Sequence, residues 1–485
     1  MNIKDNRICF FNTELIDKEK TTAKQVWHKP QPQEVALKLD KPWEGELGFE
    51  CFFHDGEKYR LYYSTGQRLN KEMDKFDMES GWFGCYAESL DGIHFTKPNL
   101  NMIEFKGSKD NNIYQLTATE TYIFKDTNPN CSYSDRYKLI HPSKRHLTGK
   151  TSSDGIHFTE QVNISEKGCF DTLNTMFYDE NLKKYVAFIR DKHRREDGGD
   201  FEDKDWAENQ IKPCVRDIRV MHSDDFYCWT DSNRIKFNDD YDFELYTNCV
   251  TKYYRAPQYY IGFPTRYIED IGGAEFYADS KWSKCFDNVT GLENRKKRFK
   301  LHPRYGLVVT DCVFMSSTDT FNWERSNEAI ITPGVERGTN WVYGDCFPTQ
   351  GAVYETTNPV YGYKELSILV PEGTWSRNGK LVRYTLRLDG FASYNTDNEV
   401  RKVVTKPFIF EGNNLEINMS ASAYGDVYVT IEDSDGCKIT SVRTIGDSTE
   451  KKVLFEDDLS KFSGKEVTMT FTFKDCDIYS FKFNK

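Results

Sequence analysis

The sequence Ser89-Leu-Asp91-Gly-Ile-His-Phe95 decides the fold, because its pattern returns three more times along the chain. Each copy follows an apolar run and ends in an aromatic residue, which predicts a strand, a tight turn and a second strand. Asp and Ser side chains bond to backbone N–H groups in such turns, and glycine permits positive φ. A repeat of this size is typical of a β-propeller blade. The other copies are Ser152-Ser-Asp154-Gly-Ile-His-Phe158, Ser223-Asp-Asp225-Phe-Tyr-Cys-Trp229 and Ser317-Thr-Asp319-Thr-Phe-Asn-Trp323.

Five such units fit between residues 44 and 400, the fifth with a changed turn at Asp389-Gly-Phe391. Residues 112–124 are predicted to be the inner strand of the second unit, and residues 13–25 to be a polar, helical piece that the Pro-rich segment 29–33 ends. From about residue 401, alternating short strands with no helix signal predict a β-sandwich. The sequence therefore predicts an all-β protein with a lead-in (1–43), a five-bladed β-propeller (44–400) and a C-terminal β-sandwich (401–485).

Composition and charge narrow the class of partner. The net charge is −11 and no domain is basic, so nucleic acid is not expected and a neutral ligand fits better. No stretch approaches the roughly 18 apolar residues of a membrane span, and the apolar run at 8–11 is too short for the core of a signal peptide. Thirteen cysteines without a Cys-x-x-Cys pair predict free thiols in the cytoplasm. The nine histidines show no metal-ligand spacing, so neither a metal nor a cofactor is expected.

Propeller geometry predicts which polar residues converge. The first strand of each blade runs along the central axis, so the starts of first strands, ends of second strands and starts of third strands share one face. Asp171 stands at the start of a first strand, Arg190 and Glu372 at the ends of second strands, and Asp311 at the start of a third strand. Arg255 is predicted to lead into the inner strand of the fourth blade. Carboxylates and arginines are thus expected to gather at one end of the propeller.

These motifs resemble a widespread group of bacterial proteins classed near the invertase/levanase and arabinanase/xylosidase glycosidases, which are five-bladed propellers. The resemblance to the group covers nearly the whole chain, whereas that to the characterised enzymes is architectural. It implies a funnel with three acidic residues: a nucleophile or base on blade one, an orienting aspartate and a glutamate acid. The motifs, besides the turns, are Lys41-Pro-Trp-Glu44, Phe170-Asp-x-x-Asn174, Arg255-Ala-Pro257 with Gly262-Phe-Pro264, and Arg387-Leu-Asp-Gly-Phe391.

The chain departs from the characterised enzymes in its first blade. Invertases carry Asn-Asp-Pro-Asn-Gly there, whereas this chain has Glu46-Leu-Gly-Phe-Glu50, and the invertase Arg-Asp-Pro and Glu-Cys motifs are missing too. An acid from blade one would have to be Glu44, Glu46 or Glu50, and the sequence does not choose among them.

The first functional hypothesis is a glycoside hydrolase acting on a small oligosaccharide. Such enzymes need two carboxyl groups, one to protonate the leaving oxygen and one to attack or to activate water. Glu372 is predicted to be the acid, Asp171 or a blade-one glutamate the base or nucleophile, and Asp311 an orienting residue; retention and inversion are both compatible. The residues predicted to bind substrate are Trp43, Glu44, Arg190, Arg255 and Trp375.

Two alternatives belong to other classes. A phosphorylase resembling the mannoside phosphorylases would use phosphate in place of the base, bound by Arg190, Arg216, Arg219 and Arg255. The second alternative is a propeller that binds carbohydrate without catalysis. A pocket in which fewer than two carboxylates lie close together would favour this alternative. No expectation about oligomeric state follows from the sequence.

Overall fold

The computed structural model describes residues 1–66, 69–76, 82–116, 120–143, 145–159, 162–200, 214–268, 281–351, 353–376 and 379–485. Six small sheets, mostly antiparallel, form a five-bladed propeller in which blade four contains two of them, and a further ten-stranded sheet contains the C-terminal residues. The predicted all-β class and the five blades are confirmed. Within the described ranges no helix is long and apolar enough to cross a membrane.

The first four strands join other parts of the molecule. The first three pair within the C-terminal sheet, and the fourth pairs antiparallel with the third strand of blade five, as its outermost strand. The prediction for residues 13–25 is wrong, because turns precede a strand that begins at Lys24. The prolines do not end an element here, since an edge strand tolerates a residue that cannot donate a hydrogen bond. The strands are β1 (Asn2–Lys4), β2 (Ile8–Cys9), β3 (Lys24–Trp27) and β4 (Gln31–Lys38).

Blades one and two each have four strands in sequence order from the axis outward. Residues 113–116 form the outer strand of blade one, and the inner strand of blade two begins only at Tyr122, so the single strand predicted for 112–124 is wrong. Blade one consists of β5 (Glu46–His54), β6 (Tyr59–Gly66), β7 (Phe83–Ser89) and β8 (Ile113–Leu116). Blade two consists of β9 (Tyr122–Lys125), β10 (Tyr137–Pro142), β11 (Leu147–Ser152) and β12 (Val162–Ser165), with a 3-10 turn at Tyr133–Asp135.

Blades three and four carry the long connections of the propeller. The sequence predicts a long charged insertion at residues 191–213 of blade three, of which residues 201–213 lie outside the described residues. Blade three consists of β13 (Thr175–Asp179), β14 (Lys184–Arg194), β15 (Cys214–Ser223) and β16 (Asn233–Arg234). Blade four consists of β17 (Lys236–Phe237), β18 (Thr251–Lys252), β19 (Tyr260–Gly262), β20 (Thr265–Ile268), β21 (Val309–Cys312), β22 (Met315–Ser317) and β23 (Asn322–Arg325). Its insertion holds a 3-10 turn (Lys284–Phe286) and the helices α1 (Leu292–Leu301) and α2 (Arg304–Leu307).

Blade five takes its fourth strand from the start of the chain. Its own strands are β24 (Tyr354–Thr357), β25 (Lys364–Glu372) and β26 (Lys380–Arg387), and β4 completes it. Arg383 on β26 is buried and bonds to Glu365 on β25, with 2.7 Å between Nη1 and Oε1, and to Glu34 on β4. This cross-strand ion pair joins the two ends of the ring.

The C-terminal sheet is built on two long strands, β30 and β33, which pair antiparallel. Their inward side chains contribute Phe, Ile, Val and Met residues to a hydrophobic core, including Val429, Phe471 and Phe483. A β-sandwich therefore remains a prediction for residues 401–485. The domain boundaries at residues 43 and 400 also remain predictions. The strands are β27 (Ala392–Thr396), β28 (Arg401–Val404), β29 (Phe408–Phe410), β30 (Asn414–Asp433), β31 (Lys438–Thr440), β32 (Asp447–Val453) and β33 (Glu466–Asn484), with a 3-10 turn at Leu459–Phe462.

The repeated turns have the predicted hydrogen bonds. In the first copy, Asp91 Oδ1 accepts hydrogen bonds from the N–H groups of Ile93 and His94, both at 2.8 Å, and Ser89 Oγ accepts one from Gly92. Burial raises the pKa of Asp91, but hydrogen bonds with the His94 ring, with the N–H groups of His94 and Ile93 and with the Ser89 hydroxyl outweigh it and hold the pKa below its usual value. The turn aspartates therefore have structural roles.

Buried polar groups surround the axis of the propeller. Glu50 on β5 is 1% exposed, and its Oε1 has no hydrogen-bond partner among the described residues. The same holds for both side-chain amide atoms of Gln350 and for the hydroxyls of Thr172 and Thr349. Burial raises the pKa of the Glu50 carboxyl well above its usual value. Glu50 is thus held in its protonated form at the centre of the fold.

We expect replacement of Arg383 by Leu to destabilise the propeller by about 3 kcal/mol, because it leaves the buried Glu365 without its ionic partner. The midpoint of urea unfolding measures the loss. The control is Arg401→Leu, which removes an exposed ion pair with Glu399 and should cost less than about 1 kcal/mol. Equal midpoints for the two variants would contradict this role of Arg383.

We expect Glu50→Gln to stabilise the protein increasingly as pH rises. Above the usual glutamate pKa the unfolded chain ionises at this position while the folded protein keeps the proton, so wild-type stability is lost with rising pH. The melting-temperature gap between variant and wild type should be small near pH 4 and large at pH 8. Glu456→Gln, on an exposed residue, is the control and should show no such trend. A gap independent of pH would refute the burial of an acidic Glu50.

Candidate active site

Asp171 and Arg190 meet at the end of the propeller where first strands begin. Asp171 precedes β13, and its side chain is 65% exposed. Arg190 lies on β14, is buried, and donates from Nη2 to the Asp171 carbonyl oxygen at 2.9 Å, with the Asp171 carboxylate 3.7 Å away. The arginine Nε is buried and has no hydrogen-bond partner within the described part of the chain. The predicted convergence of these two residues is therefore observed.

Glu120, two residues before β9, adds a second carboxyl group at this place. Its pKa is raised to about 7, first by burial and then by the neighbouring Asp171 carboxylate, whereas Arg190 and Arg304 act in the opposite direction. The backbone of Glu120 has a left-handed φ of 58°, an uncommon conformation for a residue with a side chain. A carboxyl group that is partly protonated near neutral pH thus interacts electrostatically with an exposed carboxylate, and acid–base chemistry on one bond requires two such groups.

An aromatic wall lies beside these charges, and we define it as Phe49, Tyr246, Tyr267, Tyr305, Tyr343, Phe347 and Trp375. The rings of Tyr246 and Phe49 are stacked at 6.5 Å, and the Tyr343 hydroxyl donates to the Tyr246 hydroxyl at 2.9 Å. Trp375 packs against Tyr305 with 4.3 Å between ring centroids. The guanidinium of Arg190 is 5.8 Å from the Tyr246 ring, which joins the wall to the carboxyl groups. Five of the seven rings are buried, and the two half-buried rings, Phe49 and Tyr305, have faces that could stack on a sugar ring.

Two insertions contact each other beside the wall. Phe76, between β6 and β7, is 6.1 Å from the ring of Tyr305, which lies in the blade-four insertion. Lys297 on α1 donates to the carbonyl oxygen of Glu72 at 2.9 Å. Because both connections lie at the end of the propeller where Asp171 and Glu120 meet, they border the site on one side.

Glu372 and Asp311 lie at the same end but are held by other side chains. Glu372 accepts a hydrogen bond from the Tyr384 hydroxyl at 2.8 Å, and the amine of Lys380 and the guanidinium of Arg337 are each 3.5 Å from Oε2. Asp311 forms a two-point pair with Arg266, both contacts at 2.7 Å. Neither carboxylate is among the charges that shift the pKa of Glu120.

Trp43 and Glu44 are contacts within blade one. The Trp43 indole donates to Asn112 Oδ1 at 2.9 Å, and its ring packs edge-on against Phe105. Glu44 is buried, accepts a hydrogen bond from the Tyr63 hydroxyl at 2.6 Å and pairs with Lys97 at 2.7 Å. The structure does not bring these two residues to Asp171, and their contacts attach the start of the propeller to its first blade.

Arg255 lies at the opposite end of the propeller, and the prediction that it precedes an inner strand is wrong. It follows β18, and its Nε donates at 2.9 Å to Asp389, which is buried. Asp389 also accepts hydrogen bonds from the hydroxyls of Tyr253 and Ser480, and Arg7 lies 3.4 Å from it. This ion-pair cluster joins blade four, the N-terminal segment and the C-terminal sheet. The Arg255-Ala-Pro257 motif therefore contributes to contacts between parts of the protein.

Glu46 and Glu50 are the remaining blade-one acids. Glu46 is buried and accepts the backbone N–H of Trp375 at 2.7 Å, which positions that tryptophan in the aromatic wall. Glu50 is fully buried near the axis, next to Phe49 of the wall. Neither is in contact with Asp171 in the hydrogen bonds and ion pairs of the described residues.

Two residues of the site, Glu120 and Arg304, were not predicted from the sequence. Glu120 was placed inside a strand that ran from 112 to 124, and a strand boundary after Leu116 would have placed it at the start of an inner strand. Arg304 begins α2 in an insertion, for which the repeat offers no register. Among the residues that the structure describes, no group of three or more His, Cys, Asp or Glu side chains is placed to hold a metal ion.

Comparisons with known proteins give structural similarities at low identity. No family model and no curated protein matches the chain. A family 43 arabinoxylan arabinofuranohydrolase from Bacillus subtilis aligns with a TM-score of 0.41 and 10% identity, covering 91% of this chain and 96% of that one. The catalytic domain of a family 62 α-L-arabinofuranosidase from Coprinopsis cinerea gives 0.40 and 8%, covering 74% and 97%.

A family 32 β-fructofuranosidase from Bombyx mori aligns with a TM-score of 0.39 and 9% identity, covering 93% of this chain and 94% of that one. At such identities the function has to be inferred from this chain's own side chains. The protein is a five-bladed β-propeller with structural neighbours among glycoside hydrolases of families 43, 62 and 32.

Proposed function

We propose that the protein is a glycoside hydrolase that acts on a small oligosaccharide through Glu120 and Asp171. The observation that carries the proposal is the pairing of a carboxyl group whose pKa is raised to about 7 with an exposed carboxylate beside it. Two such groups, one protonated and one ionised, are what glycoside hydrolysis requires. Their presence also favours an enzyme over a non-catalytic sugar-binding propeller.

In the proposed reaction Glu120 gives its proton to the glycosidic oxygen as the bond to the anomeric carbon breaks. Asp171 either attacks that carbon, forming a glycosyl ester that water then hydrolyses, or takes a proton from the attacking water. Arg190 positions Asp171 through the contact with its carbonyl oxygen and carboxylate. Glu120 thus takes the role of acid that sequence analysis gave to Glu372. Cationic side chains hold Glu372 and Asp311, and we propose an orienting role for both.

The aromatic wall supports a carbohydrate substrate, and the contact between the two insertions supports a small one. Tyr305 and Phe49 are half-buried, so part of each ring is open to a ligand. The insertion contacts border the site on one side, which favours a short chain entering from the other.

Phosphorolysis is the second candidate, favoured by the buried Arg190 Nε that lacks a hydrogen-bond partner in the described ranges. Of the four arginines predicted for phosphate, Arg190 and Arg216 lie beside the aromatic wall. Arg219 pairs instead with Asp217 at 3.0 Å, and Arg255 lies at the far end.

A screen of di- and oligosaccharides with and without phosphate, read by released monosaccharide, tests the proposal. We expect turnover without phosphate, and Glu120→Gln or Asp171→Asn should lower kcat/KM by about 100-fold or more, because each removes a group that acts in the transition state. Glu456→Gln is the control and should keep full activity. Full activity in both site variants would end the assignment, and an absolute need for phosphate would select phosphorolysis.

A further inference from the structure

A strap reaches from blade one to the aromatic wall, and we define it as residues 69–76 of the connection between β6 and β7. Leu69 and Phe76 form an antiparallel bridge at its base. Between them the Asn70 side chain closes a turn, because its Oδ1 accepts hydrogen bonds from the N–H groups of Asp74 at 3.0 Å and of Lys75 at 3.3 Å. The strap therefore has a fixed shape of its own.

The strap is attached to the blade-four insertion and to blade five. Lys297 on α1 donates to the carbonyl oxygen of Glu72 at 2.9 Å. The Phe76 ring is edge-on to the rings of Tyr305 and Trp375, with 6.1 Å and 6.0 Å between ring centroids. The strap side chains that belong to the same hydrophobic cluster as the rings of the aromatic wall are Leu69, Met73 and Phe76. Blades one, four and five are therefore joined at this place.

Trp375, which follows β25, is held from two sides. Its backbone N–H donates to Glu46 of blade one at 2.7 Å, and its indole N–H donates to the carbonyl oxygen of Tyr343 at 2.6 Å. Its φ is 65°, a left-handed conformation that is rare for a bulky side chain. Such a conformation persists only where the surrounding structure holds it. Trp375 is thus a rigid part of the aromatic wall.

Three parallel rings pack together where the inner strands of blades one, four and five begin. Phe49 on β5 lies 5.9 Å from Phe347 and 6.5 Å from Tyr246, measured between ring centroids. Phe347 and Tyr246 are buried, and they precede the inner strands of blades five and four. Together with the strap, these rings occupy the space between the three blades at the end of the propeller that holds the site.

The carboxyl groups of the proposed reaction lie at blades two and three. Glu120 precedes β9 and Asp171 precedes β13, and the side chain of Asp171 is 65% exposed. Arg190 lies between Asp171 and the packed rings, since it donates to the Asp171 carbonyl oxygen at 2.9 Å and is 5.8 Å from the Tyr246 ring. A sugar chain can therefore extend into solvent at Asp171, whereas packed side chains block its extension toward blades one, four and five.

We propose that the strap and the aromatic wall make the enzyme exo-acting, so that each cleavage releases the terminal sugar of a linear oligosaccharide. The proposal deepens the proposed function and rests on it. Cleavage of an internal bond needs space for sugar units on both sides of that bond, and the packed side offers none. The terminal sugar lies against the half-buried rings of Phe76 and Tyr305, and the remainder of the chain extends past Asp171.

Product analysis with linear oligosaccharides, from the disaccharide to the hexasaccharide, tests the proposal with the sugar that is cleaved in the screen. Each substrate carries a fluorescent label at its reducing end, and products are separated at early times. We expect the wild type to produce only the monosaccharide and the chain shortened by one unit. Phe76→Ala should also cleave internal bonds, because it opens the packed side. The loss of its ring should lower kcat/KM for the disaccharide by about threefold to tenfold.

Lys297→Met is a second variant if Phe76→Ala fails to fold, because it detaches the strap from α1 and should change the products in the same direction. Tyr363→Ala is the control, since it removes an exposed aromatic ring of blade five and should leave both the products and kcat/KM unchanged.

The possible results separate the exo mode from the proposed function. Cleavage of the tetrasaccharide into two disaccharides by the wild type, without release of monosaccharide, overturns the exo mode and leaves the hydrolase. Wild-type products in both strap variants overturn the assignment of this mode to the strap. Absence of cleavage for every glycoside overturns the proposed function, and the exo mode is overturned with it.

Discussion

The structure depends on the closure of five sheets into a ring by the pairing of β4 with β26. Blade five combines β24, β25 and β26 with β4 from the start of the chain, so strand pairing and side-chain contacts must hold the two ends of the propeller together. Here Arg383, between Glu34 and Glu365, joins a strand from the start of the chain to blade five. Ring closure fixes the direction of every inner strand, and the segments before β9 and β13 consequently meet on the axis. Glu120 and Asp171 are neighbours for this reason, although about fifty residues separate them in sequence.

The chemistry of the site follows from where charges are buried. Burial raises the pKa of Glu120 and the Asp171 carboxylate adds to the rise, so one carboxyl group is partly protonated near pH 7 while the other is exposed. Sheet alternation then separates the charges of blade three, with Asp191, Asp217 and Arg219 on one face and Arg190, Lys192 and Arg216 on the other. The second face lies beside the aromatic wall. A polar site with an acid, a carboxylate, cations and aromatic rings results, although the chain as a whole is acidic.

The repeated turn motif was sufficient to predict the propeller, because its Ser and Asp side chains form the same hydrogen bonds wherever it occurs. The rule that certain strand ends share one face also predicted that Asp171 and Arg190 lie together. The same rule failed for Arg255, because Arg255 and the neighbouring Pro257 follow the short inner strand β18 and do not precede it. Strand β4, which closes the ring, was not predicted, because prolines in a sequence argue against a strand and only an edge strand tolerates them. Glu120 could not be predicted, because no turn motif in the sequence marks the break between β8 and β9 where it lies. Arg304 could not be predicted, because it lies in an insertion outside the repeated units.

The most direct test of the account is a titration of the Glu120 carboxyl group by carbon-13 NMR, assigned by the signal that Glu120→Gln removes. The account predicts a pKa of about 7 in the wild-type protein and a lower pKa in Asp171→Asn, where the neighbouring negative charge is gone. A pKa near the ordinary glutamate value of about 4.3, unchanged by Asp171→Asn, would contradict the pairing of the two groups.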